Sequence, residues 1–127
     1  MTDLDDFAKG YIAALFFTEG GDGELEGYEI YDLSPEALES IKADCARFQK
    51  ENAADIATIE GKQYDEGYAS GEERAGHDLW LTRNRHGVGY CDRKDLDPDV
   101  AKRLTDAARA FGECWATLGD DKRVYIN

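Results

Sequence analysis

The chain has no long apolar run. Its most hydrophobic stretch, Ile12 to Phe17, falls far short of the roughly 20 residues a membrane-spanning helix needs. The stretch is also too short for the apolar core of a secretory signal. Asp3, Asp5 and Asp6 precede it where a signal would carry positive charge, so a cytoplasmic location is expected. Cysteine is scarce: Cys45, Cys91 and Cys114 are three in number, widely spaced, with no CxxC and no paired histidine spacing. That pattern argues against a disulfide framework or a structural zinc site, and each thiol reads as a small buried hydrophobe. No GxGxxG, P-loop, HExxH, GxSxG or EF-hand pattern occurs. Acidic residues at 92, 95, 97 and 99 lack the glycine and the closing glutamate of a calcium loop. They read as a helix cap followed by solvated carboxylates. No catalytic residue, metal or cofactor is therefore expected.

The first half lacks positive charge above all. Residues 1–66 hold 17 acidic and five basic side chains, a net of −12, whereas residues 67–127 hold 11 and 10, a net of −1. Such a field repels nucleic acid and membranes, so direct binding to either is not expected. It attracts basic surfaces. Solubility alone is the plainer reading of the same charge. The densest run is Glu19, Asp22, Glu24, Glu26, Glu29 and Asp32, uninterrupted by any basic residue. These are the candidate partner-binding residues. A protein that binds DNA does so by neutralising phosphates with Lys and Arg, and a folded row of carboxylates can compete for the same groove.

At 127 residues, with 42% hydrophobic side chains, five Phe, seven Tyr and two Trp, the chain is one domain by length and can build a real core. Thr2 or Asp3 can cap a first helix to about Thr18, with Leu4, Phe7, Tyr11, Ala14 and Leu15 on one face. Ser34, Pro35 and Glu36 form the best helix start in the chain. Leu38, Ile41, Cys45, Phe48, Asn52, Ile56 and Ile59 then recur at three and four, with a break possible near Asn52. Residues 61–76 read as a loop. HDLWLTRN (77–84) alternates as a strand and RHGVGYCD (85–92) returns beside it as a hairpin. Asp97 and Pro98 open a third helix with Val100, Leu104, Ala107, Ala108 and Phe111 as its stripe, ended by Gly112. The remaining ECWATLGDDKRVYIN is a second hairpin turning at 119–122. The expected fold is α+β: a small antiparallel sheet of about four strands in two hairpins, with about three helices packed on it. An acidic helical half, 1–66, precedes a hairpin–helix–hairpin half, 67–127. Trp80 and Trp115 are expected in the core, and an exposed one would mark a contact surface.

One polar cluster stands out in the first hairpin. His77, Asp78, Arg83, His86, Asp92 and Arg93 could line a pocket for acid–base work or phosphate binding if the ladder brings them together. The plainer reading is a polar turn with cross-strand ion pairs.

The stretches YEIYDLSPEALESIKADCARF (28–48) and AGHDLWLTRNRHGVGYCDR (75–93), with LTDAARAFGE and LGDDKRVY after them, resemble a group of small acidic proteins encoded by tailed bacteriophages and prophages. The resemblance covers most of the chain beyond residue 28. It rests chiefly on a GHD-x-W-LTRN-x-HG run, and it carries no catalytic residue over. It implies an accessory phage gene product acting in the host bacterial cytoplasm, by analogy an inhibitor of host defence of the anti-CRISPR or anti-restriction type. The expected function is thus a non-enzymatic inhibitor that occupies the basic site of a host nucleic-acid-binding complex by DNA mimicry. A small enzyme or a nucleotide- or phosphate-binding protein built on the 77–93 cluster is the second reading. An accessory structural or regulatory role is the third.

Overall fold

A computed structural model describes residues 4–19, 25, 27–59, 71–86, 89–93 and 96–127, with the backbone alone for Glu19 and Asp92. The best-signalled helix, α2 (Pro35–Glu51), forms as its sequence dictates. The Ser34 hydroxyl accepts from the Ala37 amide at 3.0 Å, Pro35 occupies the first turn, and Ala37, Ile41, Cys45 and Phe48 are buried along one face. The break near Asn52 is present. The Asn52 side chain donates to the Phe48 carbonyl at 2.9 Å, and a short α3 (Ala53–Ala57) follows, burying Ile56. Helix α1 (Asp6–Glu19) begins two residues later than a cap at Asp3 would place it, and three later than one at Thr2. Its cap is Asp5, whose carboxylate accepts from the Ala8 amide at 2.8 Å.

The second half departs from the expected pair of hairpins. Residues 77–83 are not a strand; they belong to helix α4 (Gly71–Arg83), which also takes up the end of the supposed 61–76 loop. In the expected partner strand, 85–92, residues 87 and 88 lie outside the described residues and Tyr90–Asp92 is a 3-10 turn. Helix α5 (Pro98–Ala110) has the expected cap, Asp97 accepting from the Asp99 and Val100 amides, and chain reversal at Gly112 with φ of 82°. The C-terminal hairpin is present as β1 (Ala116–Leu118) and β2 (Val124–Ile126), paired antiparallel with Thr117 opposite Tyr125. The described residues are thus mostly helical, with five α-helices and one two-stranded sheet rather than three helices on four strands. Among them, no helix is long and apolar enough to cross a membrane.

Helix α4 was hidden because it is buried nearly all round. Arg74, Ala75, Gly76 and every residue from Asp78 to Arg83 are buried, so the apolar residues show no helical period. A short Leu79–Leu81 alternation mimics a strand instead. Its contact with α1 is the most extensive between any two elements. Two glycines make that approach possible. A Cβ on Gly10 would collide with the Glu73 carbonyl, and one on Gly76 with the Phe7 carbonyl. Across the same interface Trp80 meets Tyr11 edge-on at 5.3 Å and donates its indole N–H to the Thr18 hydroxyl at 2.8 Å.

Candidate functional site

The six residues of the expected polar pocket divide into separate groups. Asp78 and Arg93 do come together. Arg93 Nε and Nη2 donate to the two carboxylate oxygens of Asp78 at 3.0 and 2.8 Å, with the side chains 9% and 1% exposed. This bidentate pair holds the 3-10 turn Tyr90–Asp92 against α4. Tyr90 completes the joint, donating its hydroxyl to the Ala75 carbonyl at 2.6 Å and stacking on Phe48. His77 is half-buried beside them, 6.4 Å from the exposed ring of Phe17. Desolvation, and then the positive charge of Arg93, push its pKa down to about 4. His77 is therefore neutral at physiological pH.

Arg83 does not belong with this group. It reaches the other way, to Tyr11, Asp44, Phe111 and Gly112. His86 is exposed beyond the end of α4, and the side chain of Asp92 lies outside the described residues. The expected single pocket is thus corrected to a buried ion pair, a half-buried histidine and a remote arginine. Residues 78 and 83 are five apart on α4 and lie on different faces of the helix.

Of the acidic candidates, Asp22, Glu24 and Glu26 lie outside the described residues, as does the side chain of Glu19. Glu29 and Asp32 flank a 3-10 turn, Ile30–Asp32. Asp32 accepts from the Glu29 amide at 2.9 Å and is half-buried, while the Glu29 side chain is exposed. The turn is stitched to the C-terminal hairpin. The Ser34 amide donates to the Val124 carbonyl at 2.8 Å, Leu33 bridges Val124 in parallel, and Arg123 reaches the Tyr31 carbonyl.

The C-terminal hairpin adds both charge and aromatic surface. Trp115 was expected in the core and is instead 55% exposed. The strand register places it on the outer face with Thr117, Tyr125 and Asn127. Cys91, also expected to be buried, is exposed. At the hairpin turn Asp120 and Asp121 are exposed, and Tyr125 donates its hydroxyl to Asp121 at 2.6 Å. That bond, and the nearby charges of Asp121 and Glu36, raise the Tyr125 pKa. Glu36 belongs to the first turn of α2, so a carboxylate from the first half of the chain acts on this hairpin. Tyr31, 81% exposed, stands beside it. The one sequence signal for this surface was a tryptophan directly before a very short strand. No known protein family matches the chain, and neither does any curated protein or solved structure.

Proposed function

We propose that this protein is a non-enzymatic inhibitor that binds the basic face of a host nucleic-acid-binding complex. The observation that supports it is the convergence of the acidic 29–36 segment with the hairpin. The segment is joined to the hairpin by the Leu33–Val124 bridge and by Arg123 on the Tyr31 carbonyl, the charge of Glu36 reaches Tyr125, which binds Asp121, and the rings of Tyr31 and Trp115 are exposed. Aromatic anchors with a charged rim are the composition of binding hot spots. Carboxylates opposite Lys and Arg set on-rate and partner choice. The neighbouring Asp22, Glu24 and Glu26 extend the same acidic run along the chain.

A partner captured from a bacterial lysate tests the reading by competition. Duplex DNA should displace the protein, affinity should fall steeply as salt is raised, and the combined Glu36→Gln and Asp120→Asn exchange should weaken it further. Capture that is indifferent to DNA, salt and both exchanges would remove the mimicry. An accessory role through a hydrophobic contact is the second reading, favoured by the exposure of Trp115. In that case Trp115→Ala alone abolishes capture and salt has little effect.

A further inference from the structure

We infer that the cleft between the end of α4, the 3-10 turn Tyr90–Asp92 and α5 binds a small anion, a phosphoryl or carboxylate group held between Arg85 and Arg109. The cleft measures about 280 Å³ and is lined by Thr82, Arg85, Cys91, Thr105 and Arg109 among others. It is separate from the acidic surface, and its chemistry is opposite.

Arg85 sits where glycine is the usual residue. The Arg85 amide donates to the Thr82 carbonyl at 3.2 Å and the His86 amide to the Leu81 carbonyl at 2.9 Å, the bond pattern that closes a helix through a left-handed residue. Arg85 takes that conformation with φ of 58°, which a residue with a Cβ adopts at a steric cost. The fold would close as well with glycine, so this guanidinium is placed at the cleft against local preference. Strain of that kind concentrates at binding sites.

Arg109 lies in the last turn of α5, exposed, and its side chain has no hydrogen-bond or ion-pair partner among the described residues. Arg85 pairs there only with Glu113, at 3.7 Å, and both side chains are well exposed. Two planar guanidinium forks at one cleft match the geometry of phosphate and carboxylate. Thr105 stands one turn before Arg109, its hydroxyl 2.9 Å from the Cys91 sulfur, and supplies a neutral polar group deeper in. The net charge of −13 repels anions at long range, so saturable binding would have to come from this local arrangement.

The full chain titrated by amide NMR with inorganic phosphate, pyrophosphate and succinate tests the site, with iodoacetamide labelling of Cys91 followed by peptide mass spectrometry. At least one of the three should give saturable shifts centred on Arg85, Cys91 and Thr105, and should slow labelling of Cys91 but not of Cys114. Pyrophosphate alone assigns the ligand to phosphoryl compounds, and succinate alone to carboxylates. Arg85→Gly and Arg109→Gln should each weaken binding by about tenfold or more, the equivalent of one lost charged hydrogen bond. Because Arg85→Gly relieves the left-handed strain, it should melt no lower than the parent, which separates lost binding from lost folding. Absence of saturable shifts with all three anions, or unchanged affinity in both variants, overturns the site.

Discussion

The Ser34 amide donates to the carbonyl oxygen of Val124 at 2.8 Å, and this bond joins the acidic first half of the chain to its last strand. The residue that caps α2 thereby also anchors the hairpin. Charge asymmetry along the sequence does not survive as a division of the molecule, since the acidic 29–36 segment is bonded to the C-terminal hairpin.

The exposed position of Trp115 gives the first prediction. Its ring is on the outer hairpin face and half in solvent, so Trp115→Ala removes little buried area. The melting temperature should move by no more than a surface substitution does, within about 0.5 kcal/mol. Affinity for a captured partner should fall at least about tenfold, the loss expected for an interface anchor. A large loss of stability would show that the ring serves the fold, and full retention of binding would show that it is no anchor.

Arg83 is the strut between four helices. From the end of α4 it donates to Gly112 O at 2.8 Å and Phe111 O at 3.2 Å at the end of α5, to Tyr11 Oη of α1 at 3.1 Å, and to Asp44 of α2 at 3.0 Å. Arg83→Lys keeps the charge but loses the planar fork, so it cannot serve carbonyls, hydroxyl and carboxylate together. Chemical denaturation should show a loss of about 2–3 kcal/mol, the cost of buried acceptors left without a donor. A lysine variant as stable as the parent would remove the strut.

Legibility followed the local signals. Ser34–Pro35 and Asp97–Pro98 are capping chemistry written within four residues, and both helices start where that chemistry puts them. The reversal at 119–122 was equally readable, although the left-handed position falls on Lys122 rather than glycine. Helix α4 was not readable, because Arg74, Asp78 and Arg83 are buried, the last two against partners distant in sequence, and erase its apolar stripe. A pocket inferred from a strand there could not survive. The Arg85–Arg109 cleft depends on a left-handed arginine and on contacts across 24 positions, neither of which leaves a pattern in the chain.

Gly10 reverses an ordinary rule. In a solvent-facing helix, Gly→Ala stabilises by up to about 1 kcal/mol. In α1 the added methyl would meet the Glu73 carbonyl of α4, and neither backbone can give way without moving its helix. Gly10→Ala should therefore destabilise by about 1–3 kcal/mol, as overpacking does, and Gly76→Ala should do the same against the Phe7 carbonyl. Thermal melts of the two variants check this. A rise in melting temperature for either would mean that α1 and α4 pack less closely than described.

His77 makes stability depend on pH in a definite direction. Its ordinary pKa of 6.5 is lowered to about 4 by desolvation and by Arg93, so the unfolded chain takes up a proton at this ring well before the folded one. The stability tied to the neutral ring is fully present above pH 6.5 and is lost progressively as pH falls through that value toward 4. Melting temperature followed between pH 7 and 4 should decline on the acid side, and His77→Gln should flatten that decline relative to the parent. Imidazole resonances should place the midpoint near 4. A midpoint near 6.5 would mean that the ring is solvated, and the link between this histidine and the Asp78–Arg93 joint would be lost with it.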